Sequence, residues 1–315
     1  MHDPNRSVSA RTCAFLATVV PFALFALSWA QPETYDLPGD AVFPEGITVH
    51  EAAGTFYVGA SAGGAIFEAD VASGEVRVFT DGDLPMALGM SVDDHGRLFV
   101  AGGASGQVAA YDLADGELLA TWTVADPDGT FVNDLVAHDG AVYVTDSFRP
   151  VLYRIDAGPD ADLAGGELGV HLSFEGSPFQ YVEGFNANGI VPTPDGEALI
   201  VVQSATGQLY RIGLNEGSIS VVASNQAPVF AGDGLVLDGD VLWVVQNEFE
   251  QIVPLRLTPD GFEARGDGPP LRDDAFAFPT TAAAYDGSLF VVNSQFDRQG
   301  GEPELPFQVV RVALP

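Results

Sequence analysis

The chain has 315 residues, 47% of them hydrophobic and 36 of them Gly, which suffices for one large all-β domain. Its formal charge of −32 makes nucleic acid and anionic membrane poor partners. All 12 basic residues are Arg, so chemistry that needs a lysine nucleophile or a Schiff base is excluded.

At the start, Arg6 and Arg11 precede an apolar run from Cys13 to Leu27, followed by Ser28-Trp29-Ala30. This predicts a secretory signal peptide over residues 1–30, cleaved after Ala30, and a protein that is secreted or periplasmic. The run is shorter than the ~20 residues of a spanning helix, so no stable membrane anchor is expected after cleavage. Cleavage removes Arg6, Arg11, Asp3 and the single Cys13, leaving 285 residues, a charge of −33 and no disulfide. Residues 31–315 are expected to form one domain, working as a monomer.

Glu33-Thr34-Tyr35-Asp36-Leu37 is a short strand candidate that stands before a repeated phrase. The phrase is clearest from Phe185 to Ile212: an apolar run, the Pro194-Asp195-Gly196 turn, a second apolar run, a Gly-bearing turn and an alternating third run. Copies open at Gly46, Gly89, Asp134, Gly189, Gly234 and Thr281, with gaps of 43, 45, 55, 45 and 47. A four-stranded propeller blade needs ~40–50 residues, so six copies predict an all-β, six-bladed β-propeller. The last copy ends at Phe307–Val312, one strand short. The N-terminal strand Thr34–Leu37 is therefore expected to complete the last blade and close the ring, because an unpaired edge is a liability.

Between these points, Asp70-Val71-Ala72-Ser73-Gly74-Glu75 and Asp112-Leu113-Ala114-Asp115-Gly116-Glu117 mark equivalent outer hairpins in blades one and two. Their acidic residues could suggest calcium loops, but Asp and Gly are what tight turns require. Blade three carries an insertion from Ala157 to Gly184, and long loops of this kind often overhang a binding face.

Just before the inner strands stand Glu45, Asn133, Asn188 and Asp233, from blades one, three, four and five. Inner strands of a propeller enter the channel from one face, so these side chains should converge. Paired carboxylates repel unless a cation lies between them. Oxygen donors with no Cys or His at this register favour a hard divalent cation, calcium first. Any one of these positions alone is more often a structural turn residue; four of six equivalent registers carrying a carboxylate or amide is the stronger signal. Leu88 and Thr280 interrupt the ring in blades two and six.

In Pro44-Glu45-Gly46, Asn133-Asp134, Asn188-Gly189 with Pro194-Asp195-Gly196, and Asp233-Gly234 with Asp238, the chain resembles the regucalcin/gluconolactonase (senescence-marker-protein-like) group of six-bladed propellers. The resemblance extends in spacing over most of residues 31–315. It implies that Glu45, Asn188 and Asp233 bind a divalent metal cation, that Asn133 lies beside the substrate, and that the protein hydrolyses a small-molecule lactone or related ester. Those lactonases commonly carry an arginine two residues before the Asn133 position, where it grips a sugar acid; here Phe131 stands there. Turns after the second strands hold Phe148, Arg149, Phe249 and Phe296. Aromatic residues there fit inter-blade packing or, alternatively, an apolar substrate rim together with Phe131.

In the mechanism expected from this reading, the ion polarises the ester carbonyl and acidifies a water, Asp233 accepts its proton, and Asn133 orients the carbonyl. No Gly-Xaa-Ser-Xaa-Gly elbow is present, which argues against a serine hydrolase. A non-catalytic ligand- or protein-binding propeller is the alternative, since a fold does not choose its chemistry, and a lyase acting on cyclic esters is a third.

Overall fold

The computed structural model describes Met1 and residues 33–315 apart from Asp162; the rest of the predicted leader over 1–30 lies outside the described residues. Six antiparallel sheets stand around one axis as the blades of the expected propeller. The inner strands are Pro44–His50, Met90–Val92, Val132–His138, Ala187–Pro192, Gly232–Asp238 and Pro279–Tyr285, each beside the next in cyclic order. Among the described residues no helix is long and apolar enough to cross a membrane.

The strands form where Val, Leu, Ile and aromatic residues run almost without interruption, because both faces of each blade are covered by its neighbours. In Val241–Gln246, Leu242 and Val244 enter the apolar cluster between blades four and five, whereas Trp243 and Val245 enter the cluster between five and six. Six such clusters fill the six inter-blade spaces. Each fully buried aliphatic or Phe side chain contributes about 1.5–3 kcal/mol to holding its pair of blades together.

The ring closes as expected. Thr34–Leu37 pairs antiparallel with Phe307–Ala313, Thr34 opposite Val310 and Leu37 opposite Phe307. Tyr35 and Leu37 are buried, and the Tyr35 hydroxyl donates 2.8 Å to the Val71 carbonyl of blade one. One short strand thus joins the last blade's sheet while tying it to the first blade.

The 157–184 insertion is divided between two blades. Gly166–Glu167 adds a parallel edge strand to blade two, and Val170–Ser173 is the outer strand of blade three. Phe174 and Phe179 then stack at 4.8 Å, and Phe179 stacks on Tyr210 of blade four at 4.0 Å. The outer hairpins keep their acidic residues for turns: Asp70 accepts the Ser73 N–H at 2.7 Å, and Asp112 accepts the Ala114 N–H at 2.8 Å.

Candidate functional site

The backbone that aims the site is a β-bulge repeated around the axis. Inner strands shift register between Pro44 and Ile47, Val132 and Leu135, Ala187 and Ile190, Gly232 and Leu235, and Pro279 and Ala282. In blade two the Leu88 N–H donates to the Ala101 carbonyl and the Ala101 N–H to the Gly89 carbonyl, both at 2.9 Å, so two residues again face one. A bulge turns a side chain that would lie in the sheet toward another direction, and here that direction is the channel.

The second residue of each bulge packs on the neighbouring inner strand. A Cβ at Gly89 would lie 2.5 Å from the Asp134 Cα, and one at Gly234 would lie 2.7 Å from the Thr281 Cα. Glycine is required there because no side chain fits between backbones that close.

Glu45, Asn133, Asn188 and Asp233 are brought together on the floor of a cleft of about 770 Å³. Three of them, Glu45, Asn188 and Asp233, also cap a 10 Å³ cavity beneath, about the space of one water, lined on its far side by Asp134 and Thr281. The Asn188 amide donates to Asp233 Oδ1 at 2.7 Å and to Ser204 Oγ at 3.0 Å, which leaves its oxygen as a lone-pair donor. Asp233 Oδ2 accepts from the Asn247 amide at 2.9 Å. The Asn133 amide donates to Ser147 Oγ at 2.8 Å, and Thr280 turns its hydroxyl to the Glu45 carbonyl.

Glu45 is the unbalanced member. Its side chain is buried, and among the described residues its Oε2 has no hydrogen-bond partner and no cationic side chain lines either cavity. Burial, with Asp233 and then Asp134 as negative neighbours, holds its carboxyl well above the usual carboxylate range. Burial also lifts Asp233 to about 7, against the hydrogen bonds from Asn188 and Asn247. Asp134 is likewise raised by burial to about 7, although the Leu135 and Ile190 N–H groups both donate to it.

The aromatic residues fall into two groups. Phe131, Phe249 and Phe296 line the cleft. Phe148 stands behind it, 5.6 Å from the Phe131 ring and 5.1 Å from that of Phe185. Arg149 points elsewhere, donating 2.7 Å to the Asp128 carbonyl. The loop that carries these residues is held by buried Asp146, which accepts from the backbone N–H groups of Phe131, Phe148 and Arg149.

Several residues in or beside the cleft were not among the sequence expectations. Asp134 aligns with glycines and was legible only as a strand opener. Ser61, Ser147, Ser204 and Ser294 each follow a second strand and each donates its hydroxyl to a carbonyl near the cleft, at 2.6–2.8 Å. Phe185, Phe230 and Phe278 complete the apolar wall. The signal for the rings was available: an apolar residue two or three positions before each floor residue, namely Phe43, Met86, Phe131, Phe185, Phe230 and Phe278.

Neither a family model nor a curated protein sequence matches the chain. Solved structures do. A calcium-binding regucalcin from Agrobacterium tumefaciens is 19% identical with a TM-score of 0.60, covering 88% of this chain and 93% of its own. Virginiamycin B lyase from Staphylococcus aureus is 16% identical with a TM-score of 0.58, covering 82% of this chain and 80% of its own. The allergen Mala s 1 of Malassezia sympodialis is 15% identical with a TM-score of 0.68, covering 90% of this chain and 96% of its own. At these identities the likeness is one of fold: the chain is a six-bladed propeller of the shape shared by these proteins.

Proposed function

We propose that this propeller is a divalent-cation-dependent hydrolase of a lactone or related ester, acting on small molecules after export. The observation that carries the reading is the buried Glu45 carboxylate, without a partner at Oε2, beside Asp233 on the floor of a large cleft. Buried charges are paired or coordinate a metal. Among the described residues no three His, Cys, Asp or Glu side chains form a ligating group. The donor set is instead two carboxylates and the free oxygen of an amide, which fits a hard cation that completes its shell with water.

Glu45, Asn188 and Asp233 would hold that cation, with calcium favoured by the oxygen donors. Lewis acidity toward an ester carbonyl and its attacking water is the chemistry such an ion supplies when bound. Asp233 is fixed by one hydrogen bond at each oxygen, and its remaining lone pairs can take a proton from that water. Asn133, held by Ser147, has a second amide hydrogen to offer the ester oxygen. The phenylalanine wall gives the cleft an apolar lining, and among the described residues no cationic side chain stands in it to grip a sugar acid.

Lactones and aryl esters of graded polarity, tested with calcium and with chelator, check the reading. Hydrolysis that chelator stops and that Glu45→Gln and Asp233→Asn abolish is expected, with activity rising with alkyl length. Hydrolysis unaffected by chelator, or a preference for gluconolactone, would overturn it.

A further inference from the structure

The cleft combines two features that the hydrolase reading does not use. Its wall is built from Phe131, Phe185, Phe230, Phe249, Phe278 and Phe296, and its charged residues are all acidic: Glu45 and Asp233 on the floor, Glu183 and Glu248 at the rim. Among the described residues no Arg or His lines it. Nearby guanidinium groups are committed elsewhere, Arg149 to the Asp128 carbonyl and Arg272 to the Phe249 carbonyl and the Gln251 side chain. A divalent ion on the floor balances two of the four carboxylates and leaves the rim pair uncompensated.

The rim acids stand next to exposed rings. Glu248 and Phe249 are adjacent in the single turn Asn247–Phe249, and Glu183 lies two residues before Phe185. Phe185, Phe230 and Phe249 are 44%, 51% and 47% exposed although each faces the cleft. Ring faces carry negative quadrupole density, so rings beside carboxylates attract an organic cation through two effects of the same sign. Glu45, buried on the floor with its Oε2 unpartnered, lines the same cleft, so without a bound ion the floor is negative as well as the rim.

We propose that the cleft selects esters whose apolar body carries a positive charge, an amine or quaternary ammonium group, and that Glu183, Glu248 and the Phe185, Phe230 and Phe249 rings read that charge. The word ester rests on the hydrolase reading; the recognition of an apolar cation does not. Such a ligand would also be drawn toward a chain whose formal charge is −32 and would lose solvation least against phenylalanine. An anionic substrate would meet repulsion at the rim.

The test uses the full chain with calcium at physiological salt, where charges beyond ~8 Å are screened. Three benzoate esters are compared: benzoylcholine, its carbon isostere 3,3-dimethylbutyl benzoate, and the anionic 4-(benzoyloxy)butanoate. Dissociation constants are measured for each, and kcat/KM for any that is cleaved. Benzoylcholine should bind about tenfold tighter than the isostere, as expected of a partly desolvated cation–π site, and the anion weakest. Glu183→Gln/Glu248→Gln should shrink that ratio to about threefold or less while leaving isostere binding unchanged. Equal or better binding of the isostere or the anion, no saturable binding of benzoylcholine, or a ratio untouched by the double variant would overturn the proposal. Tight, selective ammonium binding without cleavage of any ester would sustain it and remove the hydrolase reading alone.

Discussion

Blades two and five share a backbone plan and differ in what they do with it. Each has five strands, because each accepts a two-residue parallel strand at its outer edge, Gly166–Glu167 in one and Ala223–Ser224 in the other. At the axis each places two residues against one and follows the first with a glycine pressed on the next blade. Blade five puts Asp233 on the floor of the cleft at that point, supported by Asn247; blade two puts Leu88 there, followed after its second strand by Gly102. The difference teaches that the bulge supplies aim to all six blades, whereas chemistry depends on which side chain is aimed.

The largest effect should be shared by the two blades. Gly89→Ala and Gly234→Ala each force a methyl group against a backbone atom, and each should cost about 3 kcal/mol or prevent folding, read by chemical denaturation. Tolerance at Gly89 alone would break the claim of a common plan. The next effect should belong to blade five only. Asp233→Asn should remove the calcium-dependent stabilisation, which for a site binding only the folded state is ~2.7 kcal/mol at 100 times the dissociation constant. Asp115→Asn, in an outer hairpin of blade two, should keep it, and a calcium response that survives Asp233→Asn would mean that the acidic surface, rather than the floor, takes the ion.

Smaller still is the support given to Asp233. Asn247→Ala deletes the hydrogen bond to Oδ2 and should cost about 1 kcal/mol and weaken the calcium response at least about tenfold, measured by thermal titration. The smallest effect is a slope. In chelator, Asp233 and Asp134 have folded values raised from 3.8 to about 7, so the folded state holds protons that the unfolded state has released. Their contribution to stability is present below about 4 and is lost as pH rises from 4 through 7, with Glu45 adding in the same direction. Melting temperatures across this range should fall in chelator for the unmodified chain and fall less for Asp233→Asn.

What the sequence made legible follows from the same division. Periodic glycines before apolar runs reveal six blades because the close approach at the axis leaves no alternative residue in four of them. The missing fourth strand of the last copy pointed to Thr34–Leu37, since strand count is a closed ledger in a ring. Glu45, Asn133, Asn188 and Asp233 were readable because they precede those openers. Asp134 was not, because an acidic residue in a glycine's place gives no hint that its carboxylate will be tucked beneath the floor and tied to Leu135 and Ile190. Phe185, Phe230 and Phe278 stand at a legible spacing before the floor residues, but the backbone path that turns them into the cleft is not legible: Phe278 and Ala231 adopt positive φ values of 51° and 53°, which residue type does not announce. Ser147 and Ser204 each follow a second strand, where a hydroxyl commonly bonds its own turn, but the carbonyls they reach belong to the next blade.

The strand Thr34–Leu37 has a consequence for how the molecule comes into being. It is made before any blade, yet its partner Phe307–Ala313 is made after all the others. During synthesis Tyr35 and Leu37 have no burial waiting for them until Phe307–Ala313 is made. Completion of the ring therefore requires the whole chain. A chain cut short anywhere before Phe307 keeps an open sheet edge and a loose aromatic hook, the two features that expose an unfinished chain to aggregation.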